Sequence, residues 1–233
     1  MTDLDPAMHI RRSPIYRKLL EIGACFVETE SGVVATRTSE TATIEAEQAR
    51  HLGLSDLTLC PRAGYKGWAA IDWARELGII IGEQNNRTYS QSDSTRVVRL
   101  SDNEFLIPGE LSGSSPAIDM LSSARRLEGV YSVPRADNNC RFVICGNQTP
   151  AMVAKLCGVD LRVHRFHEGN VAQTSVARLN AIIIRSDFRD VPAYELIADI
   201  ASAGYMWNCL MDAMSEFGGC IVGTSALCVL KGT

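Results

Sequence analysis

The sequence predicts an α+β fold made of two related units, each an antiparallel sheet with helices packed against it. Three observations support this: short apolar strands bounded by glycine, helices with apolar residues at helical spacing, and an element order that occurs twice. With 233 residues, 46% of them hydrophobic and 21% charged, the chain can bury a core and has a globular composition. The net charge of −4 gives no general electrostatic attraction to nucleic acid or to an anionic membrane.

The first 53 residues are predicted to form a helical lead-in. Ser13 is a candidate N-cap of a first helix, whose apolar stripe ends at Ile22. A second helix is predicted from about Ser39 to Leu52, and Gly53 is its expected C-terminal cap.

Residues 54–133 are predicted to form the first α+β unit. Its elements are predicted to be a strand at residues 57–60, a helix at 68–77, a hairpin of strands at 95–100 and 104–107, and a helix at 117–127. The polar, proline-containing residues 133–139 are predicted to separate this unit from the next.

Residues 139–233 are predicted to form the second unit. Its elements are predicted to be a strand at residues 141–145, a helix at 149–157, strands at 181–185 and 194–199, a long helix at 202–217 and a last strand at 220–230. The order strand, helix, antiparallel strands, helix recurs in both units, which indicates an internal duplication.

The sequence contains no strong pattern of a metal, redox or nucleotide site. The eight cysteines include no CxxC pair, so we expect mostly buried, reduced thiols rather than a zinc or thioredoxin-type site. His164 and His167 form an HxxH that could ligate a metal, but no third ligand accompanies them, and a solvated polar loop is the alternative. No dinucleotide or phosphate-loop fingerprint occurs, so we expect no flavin in the isolated chain.

The sequence contains no run of about 18 apolar residues, the length that a membrane span requires. The N-terminus also has no apolar core of a signal peptide. We therefore expect a cytoplasmic protein.

The order and spacing of three passages resemble the gamma subunit of heterotetrameric sarcosine oxidase and, more distantly, the folate-binding half of the glycine-cleavage T-protein. The passages are residues 13–27 with 45–57; the hairpin segment Asp102-Asn103-Glu104-Phe105-Leu106-Ile107-Pro108; and residues 145–158 followed by Arg185, Tyr194-Glu195-Leu196, Trp207 and Phe217-Gly218. The resemblance implies an aminomethyltransferase folate-binding-domain-like fold and a place in one-carbon metabolism.

The resemblance also implies two folate-binding candidates, Glu195 and Arg185. The T-protein follows its arginine with a Tyr-Thr-Gly-Glu segment, whereas Arg185 is followed here by residues 186–192, which contain no glutamate. Both candidates have a simpler interpretation: Glu195 faces solvent from its strand, or Arg185 pairs with Glu195 across a hairpin.

Three hypotheses follow from the resemblance. The first is a non-catalytic subunit of a flavin-dependent amine oxidase, with FAD or FMN bound by partner flavoprotein subunits of the hetero-oligomer. The second is an aminomethyltransferase-like protein that binds tetrahydrofolate. The third is a scaffold of the same fold with an unrelated partner.

Overall fold

Two sheets, each covered by helices on its outer face, make up the frame of the computed structural model, which describes residues 4–93, 95–111, 113 and 115–232. The strands in these residues are β1 Cys25–Thr29, β2 Gly32–Arg37, β3 Gly53–Asp56, β4 Arg62–Lys66, β5 Arg87–Ser90, β6 Arg96–Ser101, β7 Glu104–Pro108, β8 Tyr131–Val133, β9 Asn139–Cys145, β10 Val171–Val176, β11 Leu179–Arg185, β12 Ala193–Asp199 and β13 Cys220–Ile221. The helices are α1 Tyr16–Glu21, α2 Ala42–Leu52, α3 Ala70–Glu76, α4 Pro116–Ser123, α5 Arg135–Asn138, α6 Thr149–Val153, α7 Ala203–Ser215 and α8 Thr224–Lys231.

The two main sheets share a strand order, which confirms the predicted α+β class and element order. One sheet runs β5-β6-β7-β4-β8 and the other β10-β11-β12-β9-β3-β13. In both sheets, three strands that are consecutive in the chain lie side by side and antiparallel. The strand that comes before them in the chain pairs with the last of the three. The sequence β4-α3-β5-β6-β7-α4 thus matches β9-α6-β10-β11-β12-α7, as an internal duplication predicts.

The inner faces of the two sheets pack on each other. Val98, Leu100 and Leu106 of the five-stranded sheet form one buried cluster with Ile184 and Ile197 of the six-stranded sheet. The other face of the five-stranded sheet packs on α3 and α4, and the other face of the six-stranded sheet packs on α7. A polar side chain that points inward beside this cluster is therefore enclosed between two layers of strands.

Helices α2 and α8 cover the inner face of the six-stranded sheet where the five-stranded sheet does not reach. Ala46 and Ala49 of α2 and Leu227 of α8 are buried with Val143 and Cys145 of β9. Predicted helix 39–52 is therefore confirmed, with Thr41 as its cap, since the Thr41 hydroxyl accepts the Ile44 N–H at 3.3 Å.

Two predicted strands are wrong. Residues 220–230 contain only the two-residue β13, followed by α8. Ala226, Leu227 and Leu230 are buried on one face of α8, a spacing that in an apolar run is hard to distinguish from a buried strand. Residues 57–60 form a connection between β3 and β4 rather than a strand.

The helical lead-in also contains a hairpin that was not predicted, β1–β2. Strand β3 contains the predicted boundary between residues 53 and 54. It pairs with β9 and therefore belongs to the six-stranded sheet, whose other strands come after residue 138 in the chain. The division into residues 1–53, 54–133 and 139–233 stays a prediction. Residues 1–3 of the lead-in and Thr233 of the second unit lie outside the described residues.

Across the described ranges, none of the helices is both long enough and apolar enough to cross a membrane.

Candidate functional site

Glu195 lies between the two sheets. Its position in β12 is opposite Val143 of β9 and Ile184 of β11, and directly opposite residues of an antiparallel pair share a face. The residue is 7% exposed, so the prediction that it faces solvent is wrong. A carboxylate in this position needs a partner, because burying an unpaired charge is costly.

The partner of Glu195 is Arg141 of β9. Nε of Arg141 donates to Oε2 of Glu195 at 2.8 Å, and Nη1 donates to the carbonyl oxygen of Gly109 at 2.9 Å. Arg141 is opposite Ile197, so the pair spans the strands diagonally, a distance that a long arginine side chain can bridge. Arg141 is 4% exposed, so the ion pair is buried on both sides.

The charges keep both groups ionised. Burial alone would raise the pKa of Glu195, but the Arg141 guanidinium, with help from Arg96 and the hydroxyl of Ser186, lowers it below its ordinary value. Burial likewise opposes ionisation of Arg141, and the Glu195 carboxylate outweighs it, so the pKa of Arg141 is raised. A carboxylate with a lowered pKa is a poor general base but a good acceptor for a cationic or polar donor.

A cavity beside the ion pair has a volume of about 20 Å³. Arg141, Glu195, Ser186, Arg96 and Lys231 are among its lining residues. A space of this size holds about one water molecule, whereas pockets for drug-sized ligands measure about 300–1,000 Å³. The residues around Glu195 therefore do not fit a pterin ring.

An open surface cleft of about 760 Å³ adjoins this cavity, because Arg96 and Lys231 line both. Arg87, Tyr89 and Glu168 also line the cleft. Its cations have partners from the chain: Arg96 lies 3.8 Å from Glu168, and Lys231 pairs with Glu110. The cleft is therefore polar and mixed in charge.

Arg185 lies on the opposite face of the same sheet from Glu195. It is opposite Tyr194, whose ring lies 5.9 Å from the Arg185 guanidinium carbon, and Tyr194 faces the helical layer. Nε and Nη2 of Arg185 donate to the two carboxylate oxygens of Asp187 at 3.0 and 2.8 Å. The predicted pairing of Arg185 with Glu195 across the hairpin is therefore wrong.

Arg185 also holds the loop that precedes β10. Its Nη1 donates to the carbonyl oxygens of Val163 and Phe166. With Asp187 as counterion, the guanidinium has a complete structural role. The structure thus does not bring the two predicted folate-binding residues together.

The HxxH residues lie in a turn on the surface. His164 and His167 are both exposed, in agreement with the loop interpretation. Within the described ranges, no group of three or more His, Cys, Asp and Glu side chains could hold a metal ion. The eight cysteines are all free, and four of them are buried.

Sequence reasoning missed Arg141 and Arg62, although both interrupt short segments of apolar or small residues. Arg141 directly precedes the run Phe142-Val143-Ile144-Cys145, and Arg62 opens β4. Each is buried, at 4% and 5% exposure. An arginine at the start of a buried strand is the one sequence signal that would have identified them, since buried arginines need dedicated acceptors.

Comparison with known proteins gives one family match and several structural matches. Residues 85–232 match the sequence model of the family described as GCVT N-terminal domain. An aminomethyltransferase of Streptomyces avermitilis is 27% identical over 128 residues, which are 54% of this chain and 33% of that protein. The match thus spans about a third of the length of that curated relative.

Two solved structures share the fold. A chain of the heterotetrameric sarcosine oxidase from Corynebacterium sp. U-96 superposes with a TM-score of 0.63 at 20% identity, covering 89% of this chain and 96% of that chain. The glycine cleavage system aminomethyltransferase T from Bartonella henselae superposes with a TM-score of 0.69 at 17% identity, covering 95% of this chain and 62% of that chain.

Proposed function

The chain belongs to the GCVT N-terminal domain family, and from this premise we propose that it is a non-catalytic, gamma-type subunit of a flavin-dependent heteromeric amine oxidase. The complex would be cytoplasmic and would oxidise N-methylated amino acids such as sarcosine. FAD or FMN would be bound by partner subunits, and this chain would pack against them.

The observation that carries the proposal is the buried ion pair of Glu195 and Arg141. The Glu195 carboxylate is bonded to Arg141 at 2.8 Å, and the adjoining cavity of about 20 Å³ admits about one water. The family includes aminomethyltransferases. In this chain the position beside Glu195 is occupied by the Arg141 guanidinium and has no room for a substrate, which favours a supporting role over catalysis.

The structural comparison supports the same choice. The matched region covers 96% of a chain from a heterotetrameric sarcosine oxidase and 62% of the aminomethyltransferase T chain. A chain of this fold can therefore be a component of an amine-oxidising complex.

An exposed aromatic pair at the edge of the five-stranded sheet offers a surface for the partner. Trp68 is 76% and Tyr131 is 59% exposed, and Tyr131 belongs to the edge strand β8. The Trp68 ring lies against Gly129 and the Tyr131 ring against Gly67. Exposed aromatic residues are enriched at protein interfaces, and Lys66 and Arg126 nearby would suit an acidic partner surface.

The test is purification of the tagged chain from its native host. We expect it to copurify with flavoprotein chains in a yellow complex that consumes oxygen when sarcosine is added. The double variant Trp68→Ser, Tyr131→Ser should fold but lose these chains. Ile80→Ser removes another apolar side chain, 57% exposed, and should retain them. Recovery of the wild-type chain without a flavoprotein would contradict the proposal.

A second candidate function is binding of tetrahydrofolate in an aminomethyltransferase-like role. The cleft of about 760 Å³ favours it, because its volume lies in the range of ligand pockets and it shares Arg96 and Lys231 with the cavity that Glu195 lines. Titration with reduced folate tests this alternative.

A further inference from the structure

The Glu195 carboxylate has its main partner from within the chain, and the chemistry of that partner is specific. Arg141 supplies a planar guanidinium that reaches diagonally across β9 and β12 into the space between the sheets. We propose that the carboxylate is a binding site for planar guanidinium cations, which the chain fills with its own Arg141. Arg141 thus acts as an internal ligand that keeps this site closed.

The surroundings of Glu195 favour a planar, weakly hydrated cation. The carboxylate lies among Val143, Ile184 and Ile197, buried apolar residues of three neighbouring strands. A guanidinium is flat and loses less hydration on burial than an ammonium ion does. It also carries several N–H donors in one plane, and here a second one is taken by the carbonyl oxygen of Gly109 at 2.9 Å.

The two other cations among the described residues that line the cavity, Arg96 and Lys231, have carboxylate partners elsewhere. Arg96 contributes to the charge balance, but its Nη1 lies 3.8 Å from Glu168, on the cleft side. Lys231 pairs with Glu110. If the Arg141 side chain is removed, Glu195 therefore remains as a buried carboxylate without its principal partner, next to an enlarged cavity.

The cavity lies next to the surface cleft, since the side chains of Arg96 and Lys231 line both spaces, and a small cation has only to pass these two long side chains to enter it. The wild-type protein should not bind guanidinium there, since Arg141 occupies the position. The variant Arg141→Ala should bind it, since the vacated volume and the carboxylate then match the guanidinium of the missing side chain.

The experiment is chemical rescue of purified Arg141→Ala, followed by thermal unfolding. The probe is guanidinium chloride at millimolar concentration, well below the molar range in which it denatures proteins. At about five times the dissociation constant, we expect the unfolding midpoint of Arg141→Ala to rise by ~2–4 °C. The wild-type midpoint should not rise, and tetramethylammonium chloride, which has no N–H donor, should have no effect on either protein.

The double variant Arg141→Ala, Glu195→Gln tests whether the Glu195 carboxylate binds the added guanidinium. Its unfolding midpoint should not rise with guanidinium. If Arg141→Ala does not fold alone, its refolding yield with guanidinium and with tetramethylammonium is compared, and only guanidinium should restore it. Equal responses to the two cations, or a rescue that persists without the Glu195 carboxylate, would overturn the proposal. The experiment needs no partner subunit, so its result does not depend on the proposed function.

Discussion

Arg62 serves as a hydrogen-bond centre for backbone carbonyls at the join between the two sheets. Its guanidinium donates to the carbonyl oxygens of Leu57, Thr58, Cys60, Arg135, Ala136 and Asn139. Burial, with the nearby Arg141 charge, lowers the pKa of Arg62 to about 10, so it remains charged at neutral pH. One side chain thus holds the connection before β4 and the segment around α5 together.

We predict that Arg62→Lys destabilises the protein strongly. Arginine has five N–H donors and lysine has three, so lysine cannot keep all six contacts, although the Leu57 carbonyl still accepts the Cys60 N–H. A buried carbonyl left unsatisfied costs ~1–3 kcal/mol, so the free energy of unfolding should fall by at least ~1 kcal/mol. Urea denaturation measures it.

Arg165→Lys is the matched control, because Arg165 is exposed in a turn. Its effect should stay within ~0.5 kcal/mol. Similar losses in the two variants would show that the carbonyl acceptors of Arg62 do not matter.

Asp56 provides a test by pH. It is 8% exposed at the end of β3, and its Oδ1 accepts the N–H of Thr58 at 2.9 Å. Burial raises the pKa of Asp56 above its ordinary value, although hydrogen bonds from Ser13 and Thr58 and the charge of Arg62 oppose the shift. The folded state therefore binds this proton more tightly than the unfolded state does.

We predict that Asp56→Asn becomes more favourable as pH rises. The stabilising contribution of Asp56 is complete when its carboxyl is protonated, and it is lost between the unfolded pKa of ~3.9 and the raised folded pKa. Asparagine keeps an acceptor for Thr58 and does not titrate. The difference in unfolding free energy between variant and wild type should therefore grow above pH ~4 and then level off. Parallel pH profiles from urea denaturation would contradict this.

At the residue scale, the sequence could indicate Glu195 but not its partner. Which strand lies beside β12, and in which register, decides that Arg141 faces Glu195 while Arg185 faces the helical layer. Register is a property of the assembled sheet, and a shift of one residue would exchange the two faces. The sequence around positions 185 and 186 therefore does not reveal which side chain pairs with Glu195 until the register of the sheet is known.

Among the secondary-structure elements, α2 and α8 are joined by a buried carboxylate. Oε1 of Glu45, in the first turn of α2, accepts the N–H groups of Thr38 and Ser39 at 2.6 and 2.7 Å. Its Oε2 accepts the N–H of Gly223, which precedes α8, at 2.7 Å. The Glu45 side chain therefore connects the backbone that precedes α2 with the backbone that precedes α8.

We predict that Glu45→Gln destabilises the packing of α8. The amide of glutamine replaces one acceptor oxygen by a donor, so at least one backbone N–H loses its partner. The expected cost is ~1–3 kcal/mol in the free energy of unfolding. Faster hydrogen exchange at the Gly223 amide would locate the effect at the start of α8.

Glu47→Gln on the same helix is the control. The Glu47 side chain is 81% exposed and lies 3.6 Å from Arg50, a surface pair that contributes at most ~1 kcal/mol. If Glu47→Gln matched Glu45→Gln in stability and in Gly223 exchange, the proposed link between α2 and α8 would be wrong.

The sequence predicts an element well where a glycine marks its end and the spacing of apolar residues fits one type of element. It predicts poorly where an apolar run fits both a strand and a helix. Strands β9, β11 and β12 and helix α7 lie close to their predicted positions. The apolar run after Cys220 fits a strand as well as a helix, because nothing in its spacing excludes either. The tertiary structure decides: a Cβ at Gly223 would lie 2.0 Å from the Thr36 carbonyl oxygen, so the chain passes close to β2 there and then turns into α8.

For the whole molecule, the internal duplication explains why the candidate site is buried. Each sheet packs one face on helices and part of its other face on the opposite sheet, so the inner faces meet in a mainly apolar layer. Only the matching order of elements was visible in the sequence; the face-to-face contact depends on side chains from distant segments. Glu195 and Arg141 are thus enclosed by packing that no local pattern reveals.

This enclosure leads to the last prediction, that the wild-type chain binds tetrahydrofolate weakly or not at all. A pterin that used Glu195 would have to enlarge a cavity of about 20 Å³ and displace the Arg141 guanidinium. Separating a buried ion pair costs ~3–5 kcal/mol, which corresponds to a loss of affinity of ~100-fold or more. Calorimetry with reduced folate at micromolar protein should therefore detect no binding. Low-micromolar affinity that Glu195→Ala abolishes, and that Glu47→Ala on the exposed face of α2 preserves, would instead favour the aminomethyltransferase-like function.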